Sequence, residues 1–526
     1  MSDTPNQYLL FATLLAVVLN IGAFFGLTMH VDSWIVGKHL KDKNYSELKE
    51  FYNEVGMPQH AYILILLWRA SRCNFQLAGI LLILLRVFHA LAFYVLLIEV
   101  LRLNHEESLI ITLIALLYPS QEFIHDIQIA VQYGMLWPLY TIGLSLYVTF
   151  TNSSPAQSIA ILALTSVLTF LSYAMKSILF VSPFIYGGIF LQKLQINSEL
   201  ITIEIVGHLW LITLPLIYWY LNERYFPRKG NYVNLNQFLP VASLFRVLRK
   251  TLEGFSHHTY GSLQSTFRIF RNPELSVLTI AVTIISILSF GSYSRIREEQ
   301  MLSLLIIGLL LVIICVIPYA MVNQDFDSKG YLTKNSIMCD VGYSLILYAI
   351  ILLLFPNAIQ GQVITLLLAL SLLYNLESQY YLWIQYAKQV KLLQALKSLE
   401  DNCDSAFIVE DLSSLKQVGK KNKFYPMTLF YMANLSHKKK LLCGFAGKFV
   451  SKDETIRLAQ ESYKNSLLPK NKKSFNPKIV MILRISDNKI SLGTVLKFVI
   501  KQFRKSPYSS KLQADLFSVE KILIEK

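Results

Sequence analysis

The chain has 526 residues, of which 54% are hydrophobic and only 16% charged, and its mean hydropathy of +0.44 excludes an ordinary soluble domain and makes the bilayer its main solvent. The net charge of +15 is wholly C-terminal: residues 378–526 hold 27 Lys and Arg against 12 Asp and Glu, whereas 1–377 hold 22 of each. Five scattered cysteines, Cys73, Cys315, Cys339, Cys403 and Cys443, show no CxxC spacing; they support neither a disulfide framework nor a zinc site and read as small apolar fillers.

A transmembrane helix needs about 20 apolar residues. That rule predicts spans near 8–29, 77–101, 108–120, 129–150, 156–174, 177–193, 200–221, 275–293, 301–321, 340–356 and 359–377. The third is short and only Pro356 and Asn357 separate the last two, so the expectation is an α-helical polytopic bundle of about eleven helices, with ten to twelve as its range. The run from Tyr8 to Met29 lacks a basic flank and an evident small-residue cleavage site, so it reads as the first span and not as a cleaved signal.

The segment after it, residues 30–76, is predicted to form one outer face of the bundle. Asp32 stands just outside the membrane, where a lone carboxylate is costly unless something polar is handled there. Leu48, Phe51, Tyr52 and Val55 then recur at helical spacing with Glu47, Lys49, Glu50, Asn53 and Glu54 on the other side, which predicts an interfacial helix, though a plain surface connector shows the same pattern. Asn44 with Glu47 resembles a capping box, and Gly56 and Pro58 supply the stop before the turn Met57-Pro58-Gln59-His60.

The second span carries Arg86 and His89, which at that depth must face the bundle interior or a wet cavity. Glu99 and Arg102 are placed at the interface by snorkelling. After Pro119, Glu122, His125 and Asp126 would share one face of any helical turn, or belong to a solvated loop. Lys176 is held between two spans with almost no loop; its ammonium suits a phosphate as a point charge, or is an ordinary end-charge. In the long segment 222–274, Arg224, Arg228 and Arg246 suit forked contacts to phosphate, or attraction to anionic headgroups. Leu244, Val247, Leu248 and Leu252 predict a short amphipathic helix there with Arg246, Arg249 and Lys250 on its rim, and Glu204 and His208 are either a buried pair or joints between helices.

From Gln379 to Lys397 an amphipathic helix leads out of the membrane into a small basic α/β domain, residues 378–526, with strands at 406–409 and 479–485 and a helix carrying Leu492, Val495, Leu496, Val499 and Phe503. It shows no Gly-rich phosphate loop, dinucleotide fingerprint, nucleophile motif or nucleic-acid module. Eleven spans from a cytoplasmic N-terminus put this domain outside, whereas the positive-inside bias puts it inside.

In their order, these features resemble the GT-C superfamily of integral membrane glycosyltransferases, which includes protein O-mannosyltransferases and aminoarabinose transferases. The resemblance covers about the first 340 residues: Asp32 after the first span, an interfacial helix and Pro58 turn, Arg86 inside the next span, Pro119, Glu122 and His125 in a turn, and Lys176 between later spans. Ser33 and Ser177 stand where many members carry acidic residues. What the resemblance implies is a multi-pass protein of the plasma or inner membrane, with 1–377 as a GT-C-like bundle. It would transfer a sugar from a polyprenyl-phosphate carrier to an outer-face acceptor, in cell-surface glycan or glycoprotein synthesis. Asp32 would be the general base. Lys176 and the arginines Arg86, Arg224, Arg228 and Arg246 would hold the donor phosphate. His60, Glu122, His125 and Asp126 would orient the acceptor or hold a divalent cation, Mg or Mn; membrane lipids and no nucleic acid are the expected partners. Two other readings remain: a polymerase or ligase of lipid-linked polysaccharide, which leans on the outer-loop arginines, and a non-enzymatic lipid-sugar flippase, which leans on Arg86, Glu204 and His208.

Overall fold

The structure, a computed structural model, describes residues 33–117, 131, 134–149, 155–196, 202–229, 244–250, 252, 253, 256, 298–322, 338–397, 405–412, 442–446, 448, 450–464, 477, 479–488, 490–503 and 516–524. Within them lie the helices α1 (Ser33–Lys41), α2 (Tyr45–Glu54), α3 (Pro58–Ala70), α4 (Phe75–Glu99), α5 (His105–Leu117), α6 (Leu136–Thr149), α7 (Pro155–Ser172), α8 (Lys176–Ile196), α9 (Thr202–Tyr225), α10 (Glu298–Met321), α11 (Asp340–Leu354) and α12 (Asn357–Lys397). Strands β1 (Ser405–Asp411) and β2 (Leu442–Ala446), helix α13 (Lys452–Lys464), strand β3 (Ile479–Asp487), helix α14 (Leu492–Phe503) and strand β4 (Phe517–Ile524) complete them.

Among the described residues, four helices are long and apolar enough to cross a membrane: α4, most of α9, most of α10, and α12. Shorter apolar helices run over Leu136–Val148, Gln157–Ser172, Lys176–Gln192 and Asp340–Leu354. The predicted spans 8–29 and 275–293 lie outside the described residues. In lipid every backbone amide must be satisfied within its own helix, which is why apolar runs of this length are helical even where Pro183, Pro215 and Pro318 interrupt α8, α9 and α10.

Helix α4 packs on α5 and α6, α6 on α7, α8 on α9 and α10, and α10 on α11, which also meets α5 and α12. With little hydrophobic drive between helices in lipid, close backbone approach supplies the attraction. Gly308 and Gly342 make the α10–α11 crossing, where a Cβ on Gly342 would come within 2.8 Å of the Gly308 carbonyl oxygen and 2.9 Å of the Val312 nitrogen. Both neighbours are backbone and cannot rotate away. Gly342→Ala is therefore expected to destabilise the bundle by about 1–3 kcal/mol, the cost of overpacking, read as a lower midpoint in detergent unfolding.

The sequence predicts a span at 359–377 and a separate helix at 379–397, but the structure has one 41-residue helix, α12. The residues Glu377, Ser378 and Gln379 are polar but contain no helix breaker, so the backbone ladder runs through. At its start Gln360 Nε2 donates to the Leu352 and Phe355 carbonyls at 3.1 and 2.9 Å, closing the turn from α11. Further along, Asn375 Nδ2 donates to the last carbonyl of α5, Leu117, at 2.6 Å. Beyond that point α12 carries on to pack against β4 and α14.

The sheet has the order β2-β1-β3-β4, with β1 parallel to β2 and β3 and β4 antiparallel to β3. Ala406, Phe407, Ile408 and Val409 are fully buried, as a central strand covered on both faces requires. On α14 the buried stripe is Val495, Phe498 and Val499, while Leu496, expected inside, is exposed.

A candidate cationic active site

Helix α2 buries Leu48 and Tyr52 against the bundle, as its apolar stripe predicts. Asn44 makes no side-chain cap there; its Oδ1 instead accepts from the Ser46 hydroxyl at 3.1 Å. Gly56, at φ +73°, lets the chain reverse into α3. A Cβ on Gly56 would sit 2.8 Å from Cγ of Arg228, so the glycine also lets this corner close onto the segment after α9. Two hydrogen bonds hold that contact: Lys229 N donates to the Glu54 carbonyl at 2.9 Å, and Asn222 Nδ2 donates to the Gly56 carbonyl at 3.4 Å.

Pro58 opens α3, where its missing N–H costs nothing, and places His60 in the first turn. His60 is buried and stacks on Tyr52, with centroids 5.7 Å apart and planes at 12°. Burial first, and then the neighbouring Lys176 ammonium, push its pKa down from the ordinary 6.5 to about 4. The imidazole is thus neutral at physiological pH.

Lys176 stands at the start of α8, after a three-residue turn from α7. Its Nζ donates to Glu223 Oε1 at 3.4 Å, and Arg228 lies close enough for the two cations to repel. Three residues singled out in the sequence, His60, Lys176 and Arg228, therefore converge from α3, α8 and the end of α9, with Glu223 as a fourth that was not among them. Lys176 and Arg228 bring two cations together at this end of the helices, beside the half-exposed carboxylate of Glu223, an arrangement that suits an anion.

The titration of His60 has a direction. From pH 6.5 down to about 4 the unfolded chain binds a proton that the folded chain refuses, so the stabilising contribution is complete above pH 6.5 and is lost as pH falls towards 4. Its size is on the order of 3 kcal/mol. His60→Phe, which keeps the stack on Tyr52, is expected to flatten the decline of the melting temperature between those two pH values.

Arg86 is not part of that site. It lies enclosed in α4, with His89 one turn on and Asp340, at the start of α11, as its opposite charge. His89 Nδ1 is 2.7 Å from Thr141 Oγ1 of α6. The expected burial of both α4 residues holds. His208 is buried too, with the Tyr147 hydroxyl 3.3 Å from its Nε2; the side chain of Glu204 lies outside the described residues.

Arg224 is exposed in the last turn of α9. Arg246 and Arg249 are exposed in the helical stretch 244–250, as expected of its rim, whereas Lys250 is buried; Leu244, Phe245 and Leu248 also face outward. Such outward leucines suit lipid contact and not an aqueous rim. Asp32, Glu122, His125 and Asp126 lie outside the described residues. Among the described residues no group of three His, Cys, Asp or Glu side chains could hold a metal ion.

Sequence reasoning missed Asp340 because it stands at a span boundary, where acids are ordinary, and missed Trp137 and Tyr140 because buried aromatics read as core. The one signal available was charge balance: a buried Arg86 demands an acid on a facing helix.

Fold and site together define a largely helical chain, with four described helices long and apolar enough to cross a membrane and with Lys176 and Arg228 brought together at the ends of its helices. Its structural neighbours include ArnT from Cupriavidus metallidurans in the apo state, at TM-score 0.42 and 12% identity, with 93% of each chain covered. The same protein bound to undecaprenyl phosphate gives TM-score 0.39 and 9% identity over 94% of this chain and 95% of that one. No family model and no curated protein matches the sequence.

Proposed function

We propose that this chain is a membrane glycosyltransferase that moves a sugar from a polyprenyl-phosphate carrier to an acceptor at the outer face, with 1–377 as the transferase bundle and 378–526 as a basic accessory α/β domain. The observation that supports it is the convergence of Lys176 and Arg228 beside the neutral His60, a site for a phosphate at the end of apolar helices. The acceptor hydroxyl attacks the anomeric carbon, the bond from that carbon to the phosphate oxygen breaks, and Asp32 takes the acceptor proton. Lys176 and Arg228 stabilise the charge that gathers on the departing phosphate, and such preorganised charge is usually the largest catalytic contribution. For a divalent Mg or Mn ion the ligands that the sequence offers are Glu122, His125 and Asp126. We assign His60, enclosed against Tyr52, to shaping the site.

A flippase reading has one feature in its favour, the prolines inside α8, α9 and α10, because transporter helices break at such residues, although all three helices run unbroken here. Proteoliposomes loaded with sugar-bearing undecaprenyl phosphates separate the two. Wild type is expected to transfer sugar to added acceptors, and Asp32→Asn to bind donor and not turn over. Equal activity of both would move the base elsewhere and favour a polymerase or ligase that depends on Arg228; lipid movement between leaflets without transfer would end the enzyme reading.

A further inference from the structure

Deep in the bundle, Arg86 of α4, Trp137 and Tyr140 of α6 and Asp340 of α11 come together. Arg86 and Asp340 are each 1% exposed. A guanidinium and a carboxylate at that depth ordinarily close a hydrogen-bonded pair, because neither tolerates burial alone. Here Nε, Nη1 and Nη2 of Arg86 have no hydrogen-bond partner, Asp340 included. Asp340 Oδ1 accepts from the Val341 N–H at 2.8 Å, and the Trp137 indole N–H is directed at the same carboxylate. His89 is engaged with Thr141 and does not compete. The cluster therefore presents a surplus of donors, one carboxylate as acceptor, and a flat indole.

We propose that this cluster is the sugar subsite for the donor lipid, in which a hydroxyl of the sugar accepts from Arg86 and donates to Asp340 while the ring lies against Trp137. The inference rests on the glycosyltransferase reading above and deepens it. A group that both accepts and donates is required, which a hydroxyl satisfies and a phosphate does not, since Asp340 would repel an anion placed there. The phosphate belongs instead with Lys176 and Arg228. A path of polar aromatics joins the two: Tyr140 stacks on Trp137 with centroids 5.7 Å apart and lies beside Tyr173, whose hydroxyl shares a 2.7 Å hydrogen bond with Ser182. Tyr173 is in the turn that leads straight to Lys176.

The test uses the full chain in nanodiscs and two probes, undecaprenyl phosphate and undecaprenyl phosphate carrying one hexose. Wild type is expected to bind the hexose-bearing lipid about tenfold tighter, the worth of a hydroxyl bonded to charged groups. Asp340→Asn should remove that preference and leave affinity for the bare lipid unchanged, and Trp137→Phe, which preserves packing, should reduce it. Lys176→Ala should weaken both lipids equally. If Asp340→Asn weakens both lipids or neither, the cluster holds water or structure only and the proposal is overturned. It is overturned as well if wild type binds the two alike. Binding of neither lipid by wild type would instead strike the glycosyltransferase reading itself.

Discussion

Lys176→Ala is expected to lower sugar transfer by about 10²–10³-fold, the loss measured when one preorganised donor to a developing oxyanion is removed. Lys176 Nζ is held between Glu223, 3.4 Å away, and the like charge of Arg228, at a turn only three residues long. Partial burial and the contact with Glu223 restrict the ammonium before any ligand arrives, which lowers the reorganisation required of it. The same substitution should scarcely change stability. Glu223 is 48% exposed, and an ion pair open to solvent on one side contributes about 0–1 kcal/mol. Activity and melting temperature should therefore separate. Lys176→Arg keeps the charge but replaces a compact point charge with a wider planar fork, so it should recover part of the rate and not all of it. Initial rates in proteoliposomes within twofold of wild type for Lys176→Ala would remove this residue from the site.

Charge in an apolar chain was the most legible feature. Arg86 and His89 had to be interior because a membrane span offers charged groups no cheaper place, and they are. His60, Lys176 and Arg228 were each visible as polar groups at the ends of spans, but their meeting was not: it depends on Gly56 letting the α2–α3 corner dock on the segment after α9, a contact across about 170 residues that no local pattern encodes. Asp340 could not be told from an interfacial acid, because only the facing Arg86 gives its burial meaning. Periodicity placed the helices, and it misjudged one boundary in α12, where a polar stretch interrupts the apolar run without breaking the helix. The stripe on α14 was read one residue off at Leu496, because helical spacing alone does not say which of two adjacent apolar rows meets the sheet.

Asp411→Ala is expected to loosen the sheet from α12 at a cost of about 3 kcal/mol, near the lower bound for removing one partner of a buried pair. Lys388 of α12 is 1% exposed and its Nζ lies 2.8 Å from Asp411 Oδ2 at the end of β1, with the Phe517 ring of β4 at 5.3 Å. Asp411 itself is 26% exposed, so water can soften the loss, which keeps the figure near that bound. The surroundings are apolar: Tyr386 meets Phe498 of α14 with ring centroids 6.3 Å apart, and Leu392, Leu393 and Leu396 are buried along the same helix. An ammonium left there loses its 2.8 Å charged partner and regains only the water that can enter where the Asp411 side chain stood. Lys388→Met together with Asp411→Leu should therefore recover most of the loss, since an apolar pair of similar volume carries no desolvation cost. Limited proteolysis of the full chain reads the effect directly, as faster cleavage after α12 in Asp411→Ala and near wild-type rates in the double variant. Equal cleavage of all three would mean that apolar packing alone holds the sheet, and that Lys388 is carried by neighbours other than Asp411.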